Sequence, residues 1–98
     1  MADLTVTAMS VTSDPISGLV VKVALTDSRG TPQGGYDGDS AFVAPYVAVT
    51  DSSGQVVLDL VPNADITPAA SRYTVSLDGH SFLIEKSADP QTLFEALV

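Results

Sequence analysis

The side chains that could carry out chemistry are few. The single histidine, His80, directly follows Asp78-Gly79, a pair of residues typical of tight turns. A catalytic Ser-His-Asp triad needs a buried imidazole that a carboxylate orients, whereas a histidine beside a turn is more often solvated. The sequence contains no Gly-rich phosphate loop, no His-Glu-x-x-His and no Gly-x-Ser-x-Gly motif. We therefore predict that the protein is not an enzyme, has no catalytic residues and uses no cofactor.

Two carboxylates one residue apart are the best candidate for a metal site. Asp37 and Asp39 flank Gly38 in a glycine-rich stretch. Calcium takes about six to eight oxygen ligands, so a true site would contain more clustered carboxylates. We expect a polar loop tip and no metal there. Asn63 and Asp65 are expected to bond local backbone groups in a structural turn.

Tyrosines and a C-terminal apolar group are the better candidates for contact with a partner. Tyrosine offers contact area at a small cost in rotamer entropy, and two tyrosines lie in or just after a long polar loop. The alternative for both is packing of the loop against its own sheet. The C-terminal group is either contact surface or core, with the core slightly favoured. The predicted partner contacts are Tyr36, Asp37, Asp39, Phe42, Tyr46, Leu93, Phe94 and Leu97.

The charge balance narrows the range of partners. Twelve carboxylates against four basic side chains give a net charge of -8, and there is no cysteine for a disulfide or a thiolate zinc site. Nucleic-acid binding needs the opposite sign, and anionic membrane surfaces repel an acidic protein. Residues 1–11 alternate without a basic region, and no apolar run approaches about 20 residues. We expect no signal peptide, no membrane span and no nucleic-acid partner.

Alternation of apolar and polar residues is the main structural signal. The motif Thr-Asp-Ser-x-Gly occurs at 26–30 and again at 50–54, where we predict a hairpin loop. Asp78-Gly79 predicts a second hairpin, and the polar stretch 31–40 predicts a flexible loop. Period-two alternation predicts strands over residues 4–11, 19–27, 41–50 (interrupted at Pro45), 55–61, 72–77 and 81–86.

The C-terminus has a different pattern from the strands before it. Asp89-Pro90 suits a helix start, and leucine and phenylalanine follow at helical spacing, which predicts a short helical turn. A terminal strand is the alternative. Phe82 and Phe94 are expected in the core, and the Tyr73 hydroxyl is expected to bond the preceding connection, as in a tyrosine corner. We predict one all-β domain over residues 1–98, an antiparallel β-sandwich of about seven strands.

Several stretches read together resemble the small transthyretin-like or immunoglobulin-like modules of tailed-bacteriophage virion proteins. In those modules a turn, a glycine, a strand and Leu-Val-Pro-Asn precede a strand that contains tyrosine. The similarity covers about residues 19–98, and Leu60 to Ala69 is its most specific part. This chain has Ala70-Ser71-Arg72 where the family often has a Gly-Thr turn. The matching segments are Val21 to Asp27, Thr50 to Gly54, Leu58 to Ala69 and Tyr73 to Val75.

The resemblance implies a structural role in the virion and carries no catalytic residues. Such modules occur on tail fibres and minor tail proteins, and as small proteins on the capsid. A free-standing acidic β-domain that starts at Met1 suits a capsid decoration or head-fibre protein, homo-oligomeric and bound to the major capsid protein or another virion protein. We expect it on the virion surface after assembly in the host cytoplasm. The alternative is a tail-fibre or minor tail module that binds carbohydrate through Tyr36, Tyr46 and the loop of Asp37 and Asp39.

Overall fold

The computed structural model describes residues 2–42, 44–68 and 70–98. The described chain is an all-β fold with a 3-10 turn over Asn63–Asp65 and one short α-helical turn, α1, over Leu93–Ala96. None of its helices has the length and apolar character needed to cross a bilayer. The strands are β1 (Ala2–Thr7), β2 (Val20–Thr26), β3 (Gly35–Asp37), β4 (Ser40–Phe42), β5 (Tyr46–Val49), β6 (Gln55–Leu60), β7 (Arg72–Leu77), β8 (His80–Ile84) and β9 (Gln91–Thr92).

Two main sheets share one core, which confirms the predicted sandwich. One sheet has the strand order β6-β1-β9 and the other has the order β5-β2-β7-β8. Every pairing is antiparallel except that of β1 with β9, which is parallel over two residue pairs. Alternate residues of the long strands face inward and are buried, as the period-two pattern predicts. The buried core includes Leu4, Val6, Val21, Val23, Leu58, Leu60, Ile66, Tyr73, Val75 and Ile84.

The polar stretch 31–40 is not the flexible loop that we predicted. It contains β3 and the start of β4, which form a two-stranded hairpin of their own. Tyr36 attaches this hairpin to the domain, because its N–H donates to the Thr67 carbonyl at 3.0 Å and its carbonyl accepts from the Thr67 N–H at 2.9 Å. A strand of three residues is too short to show a clear period-two pattern in the sequence. The contacts that hold this hairpin in place join residues that are distant in the sequence.

The turn at 50–54 is also not the hairpin loop that we predicted. β5 pairs with β2 and β6 pairs with β1, so the turn carries the chain from one sheet to the other. Thr50 anchors this crossing, since its buried hydroxyl donates to the Ile16 carbonyl at 2.7 Å and accepts from the Leu19 N–H at 2.9 Å. The hairpin predicted at Asp78-Gly79 is confirmed and joins β7 to β8.

The repeated motif forms the same turn twice. The Asp27 carboxylate accepts the N–H groups of Arg29 and Thr31, at 2.8 and 3.0 Å. The Asp51 carboxylate accepts those of Ser53 and Gln55, at 2.9 and 3.0 Å. Each turn ends on a glycine in the left-handed region, Gly30 at φ +82° and Gly54 at φ +76°. The shared motif therefore produces the same backbone hydrogen bonds in both turns, although only the second turn changes sheets.

These turns make stability sensitive to acid. The Ser53 hydroxyl and then the Gln55 and Ser53 N–H groups hold the pKa of Asp51 below 3.8. Such a carboxylate contributes stability that is complete above pH 3.8 and is lost as the pH falls through the folded-state pKa. We expect Asp51→Asn, which keeps the accepting oxygen without the charge, to show a shallower loss of stability between about pH 4 and pH 2 in urea unfolding.

The matched control for this prediction is Asp39→Asn, because Asp39 is exposed and no described residue donates a hydrogen bond to its carboxylate. Equal pH profiles for Asp51→Asn and the unsubstituted chain would contradict the prediction.

A small polar network lies inside the sandwich. The Asn63 Oδ1 accepts the Lys86 N–H at 2.6 Å, and its Nδ2 donates to the Ser71 Oγ at 3.3 Å. Asn63 therefore has a structural role, as predicted, but its partners are distant in sequence rather than local. Lys86 is buried, and its Nζ donates to the carbonyls of Ser87 and Asp89 at 2.8 and 2.6 Å. Burial lowers the pKa of Lys86, and the charges of Asp89 and Asp3 oppose that shift.

The Tyr73 hydroxyl donates to the Val61 carbonyl at 2.7 Å. This bond confirms the predicted tyrosine-corner contact, because Val61 begins the connection that precedes β7. Burial raises the pKa of Tyr73 to about 12, and the charge of Asp37 adds to the shift. The phenol is therefore held neutral as a hydrogen-bond donor to the backbone.

Candidate functional site

An exposed apolar group lies at α1 and the residue that follows it. Phe94 is 82% exposed and Leu97 is 43% exposed, whereas Ala96 between them is buried. The prediction that Phe94 lies in the core is wrong, because the buried position of this turn is taken by the smaller Ala96. Leu93 is partly buried and packs against the core. The C-terminal group is thus divided between core and surface.

The turn that carries Phe94 is fixed in place. Thr92 and Glu95 form a capping box, in which the Thr92 hydroxyl accepts the Glu95 N–H and the Glu95 carboxylate accepts the Thr92 N–H. Beyond the turn, the Ala96 carbonyl accepts the Glu85 N–H at 3.0 Å and the Val98 N–H donates to the Leu83 carbonyl at 3.1 Å. Phe94 is therefore presented on a turn anchored at both ends.

The helical turn begins later than we predicted. Asp89-Pro90 is expected to start it, but the N-cap is Thr92 and the residues before it form β9. The reason is the parallel pairing of β9 with β1, which keeps Gln91 and Thr92 extended. The exposed side of the turn borders a shallow groove of about 300 Å³. The groove is lined by Thr5, Thr7, Phe82, Thr92, Leu93, Phe94 and Leu97.

The hairpin of β3 and β4 carries three of the predicted contact residues. Tyr36 is half-exposed, and Asp37 and Asp39 are exposed at the hairpin end. Asp37 lies near enough to Tyr73 for its charge to act on the phenol. The structure therefore places these residues together on one hairpin, apart from the residues that line the groove at α1.

A glycine lets this hairpin lie against the sandwich. A Cβ on Gly35 would stand 2.6 Å from Leu25 Cδ2 and 3.1 Å from the Thr67 carbonyl oxygen. We expect Gly35→Ala to displace the hairpin and to lower the free energy of unfolding by about 1–3 kcal/mol, measured by thermal and urea denaturation. Gly34→Ala is the matched control, since a Cβ there has no neighbour within 4 Å. Equal stability of the two variants would contradict the prediction.

Phe42 and Tyr46 meet in a cleft of about 550 Å³ between the two sheets. Its lining is mainly apolar, and Asp59, Tyr46 and Tyr73 are the residues with polar side chains among those that line it. Phe42 is partly buried against the core and Tyr46 is half-exposed. The cleft and the groove at α1 share no lining residue, and Tyr36, Asp37 and Asp39 line neither of them. The predicted contacts therefore do not form one surface.

The geometry around His80 does not form a triad. His80 is exposed at the start of β8, and among the described residues no carboxylate forms an ion pair with it. Over residues 2–42, 44–68 and 70–98, no group of three His, Cys, Asp or Glu side chains could hold a metal ion. That the protein is not an enzyme remains a prediction.

One exposed surface was not predicted as a contact. Val20, Val47 and Val49 form a row on the outer side of the β5-β2 pair, each about half-exposed. We refer to these three residues as the valine row. The signal was present in the sequence, because a Val-Ala-Val run after Pro45 places two valines on the same face of a strand. What the sequence does not reveal is that β5 lies at a sheet edge.

Comparison of the sequence with models of protein families and with curated proteins gives no match.

Proposed function

We propose that the chain is a non-enzymatic structural protein of a tailed-bacteriophage particle, a capsid decoration or head-fibre protein that binds the outer surface of the shell and stabilises it. Its partner is the major capsid protein or another virion protein, and its location is the particle surface. The resemblance of residues 19–98 to virion modules supports the class of protein. The exposure of Phe94 on a fixed turn is the observation that supports docking.

Phe94 has the properties of an interface anchor. An aromatic side chain supplies a large apolar area, and residues that dominate binding energy are often aromatics inserted into a pocket of the partner. The capping box and the backbone bonds to Leu83 and Glu85 already hold the turn, so less conformational entropy is lost on binding. Leu97 extends the apolar area beside it. Phe94 and Leu97 thus offer a pre-organised contact.

The charge suits a protein that covers a surface in many copies. A net charge of -8 keeps free copies soluble and limits unspecific association before docking. Binding across the seams between shell subunits stabilises the shell by mass action, because the bound chain favours the assembled state over the dissociated one. The chain therefore needs only a modest interface per copy to have a large effect on the whole shell.

The test is the composition and resistance of purified particles. We expect the chain as a stoichiometric component of the head, labelled by immunogold on the shell, and we expect particles without it to lose integrity at lower temperature or lower salt. Phe94→Ser should weaken binding of the purified chain to bare shells by at least about tenfold. Val11→Ser is the matched control, because Val11 is fully exposed in a turn and outside the groove.

Absence of the chain from heads, or equal resistance of particles with and without it, would contradict the proposal. Labelling at the tail together with glycan binding that Tyr36→Ser or Tyr46→Ser removes would support the tail-module alternative instead. A gene for the major capsid protein next to the gene for this chain would agree with the decoration role, and a neighbouring fibre gene would agree with the alternative.

A further inference from the structure

We propose that a second copy of this chain pairs with the free edge of β5, so that two four-stranded sheets join into one continuous sheet. The inference goes beyond the docking of the chain on a shell, because it concerns isolated copies in solution. It is based on how each strand edge of the described sandwich is protected, on the register of β5, and on the distribution of charge.

β5 differs from the other edges of the two main sheets. The edge of β6 carries the exposed Asp59, and β9 is only two residues long. The edge of β8 is already paired at its end, where Leu97 bridges Ile84. Charge, short length and covering segments are the means by which monomeric proteins prevent edge-to-edge association. Tyr46–Val49 has no charge, and no described residue pairs with its free edge.

The register of β5 makes its free edge self-complementary. The Thr50 N–H donates to the Leu19 carbonyl, so the backbone groups of Thr50 point toward β2. Because this direction alternates along an antiparallel strand, the N–H and C=O groups of Val47 and Val49 point away from β2, toward the free edge. In an antiparallel pair with two-fold symmetry about Ala48, Val47 of one copy lies opposite Val49 of the other. Four backbone hydrogen bonds then form, and the interface is isologous.

The side chains fit the same arrangement. Val47 stands opposite Lys22 and Val49 stands opposite Val20 on the outer face of the sheet. Pairing therefore joins the valine rows of the two copies into one apolar strip, with a lysine at each end. Cross-strand pairs of β-branched residues stabilise a sheet. The strip forms without bringing two like charges face to face.

The net charge predicts how this association responds to salt. Each copy carries a charge of -8, so two copies repel each other, while the pairing edge itself is uncharged. The repulsion is screened over about 10 Å at 0.1 M salt and over about 30 Å at 0.01 M. Association should therefore strengthen as salt rises. Because the edge is short, we expect a dissociation constant between about 1 µM and 1 mM.

Sedimentation equilibrium of the isolated chain tests the proposal. We expect a monomer–dimer equilibrium that shifts toward dimer between 0.02 and 0.3 M salt, at concentrations up to about 1 mM. Val49→Pro should abolish the dimer, because it removes an N–H that faces the free edge and none that bonds β2. Val47→Lys should also abolish it, by placing a charge on the strip. Val11→Lys is the control and should dimerise as the unsubstituted chain does.

Two variants with opposite charges on β5 distinguish a loss of pairing from a loss of folding. A chain with Val47→Lys and Val49→Lys, and another with Val47→Glu and Val49→Glu, should each stay monomeric but form a heterodimer when mixed, more strongly at low salt. A monomer under all conditions would overturn the proposal, as would a dimer that Val47→Lys leaves intact. If the chain stays monomeric and Val47→Lys abolishes its binding to bare shells, the free edge of β5 pairs with a strand of the shell protein. That result would also overturn the proposal of a dimer. Loss of shell binding in Phe94→Ser with the dimer retained would separate this inference from the docking role.

Discussion

Replacing Asn63 by alanine is expected to lower the free energy of unfolding by about 2–4 kcal/mol. The side chain joins three segments: the 3-10 turn after β6, Ser71 before β7, and Lys86 after β8. Alanine leaves the Lys86 N–H without its acceptor and the Ser71 hydroxyl without its donor, and both residues are buried. A buried polar group without a partner has lost its water without compensation.

The measurement is thermal and urea unfolding followed by circular dichroism. For a domain of this size, 2–4 kcal/mol corresponds to a fall in Tm of at least about 8 °C. Asp65→Ala is the matched control, because Asp65 lies in the same 3-10 turn, is exposed and makes no side-chain hydrogen bond to a described residue. It should change stability by less than about 0.5 kcal/mol. Equal unfolding curves for the two variants would disprove the structural role given to Asn63.

Replacing Gly54 by alanine is the second large change, with an expected loss of about 3–5 kcal/mol. Two costs add at this position. The backbone is in the left-handed region at φ +76°, where a Cβ is strained. A Cβ would also stand 2.5 Å from the Ala8 carbonyl oxygen and 3.0 Å from the Ile16 nitrogen, and backbone atoms cannot rotate away as a side chain can.

Gly30→Ala separates the two costs. Gly30 ends the first copy of the repeated turn at φ +82°, and a Cβ there meets only the Thr74 Oγ1 at an ordinary 3.6 Å. We expect about 1–2 kcal/mol for Gly30→Ala, which is the cost of the backbone conformation alone. The difference between the two variants in urea unfolding is then the cost of packing. Equal losses would mean that the segment of Ala8 and Ile16 moves aside freely.

Much of the fold follows from local sequence signals. The strands are predicted because valine and leucine recur at every second position, and Pro45 correctly divides the third strand region between β4 and β5. The Tyr73 contact is also predictable, because a tyrosine at the start of a strand is placed to reach back to the connection before it. These features depend on residues close in sequence, and single-sequence patterns report such relations well.

The errors concern relations between distant residues. The turn at Asp51 is the same as the turn at Asp27, so nothing local shows that it changes sheets rather than closing a hairpin. The hairpin of β3 and β4 depends on the fit of Gly35 against Leu25, which no local pattern encodes. The burial of Lys86 likewise has no sequence signal.

The sequence contains a signal for the start of α1 that the prediction from Asp89-Pro90 does not use. Thr92 and Glu95 have the spacing of a capping box, which is a stronger signal than the Asp-Pro pair before them. For the site, the sequence identifies Tyr36, Tyr46 and Phe94 as candidate contacts, and all three are half-exposed or more. The sequence does not show that these three residues lie at the hairpin, the cleft and the groove respectively, because that division follows from tertiary packing.

The short segment that lies along β8 has a consequence for how an assembly of this chain would grow. The Val98 N–H donates to the Leu83 carbonyl and the Glu85 N–H donates to the Ala96 carbonyl, so one end of this side of the four-stranded sheet is already bonded from within the chain. A sheet with one open side can join only one neighbour through that side. Were both sides open, each copy could receive two neighbours, and head-to-tail addition would produce filaments without a fixed length. Under the pairing proposed at β5, the segment from Ala96 to Val98 would therefore hinder the addition of a further copy at the β8 edge.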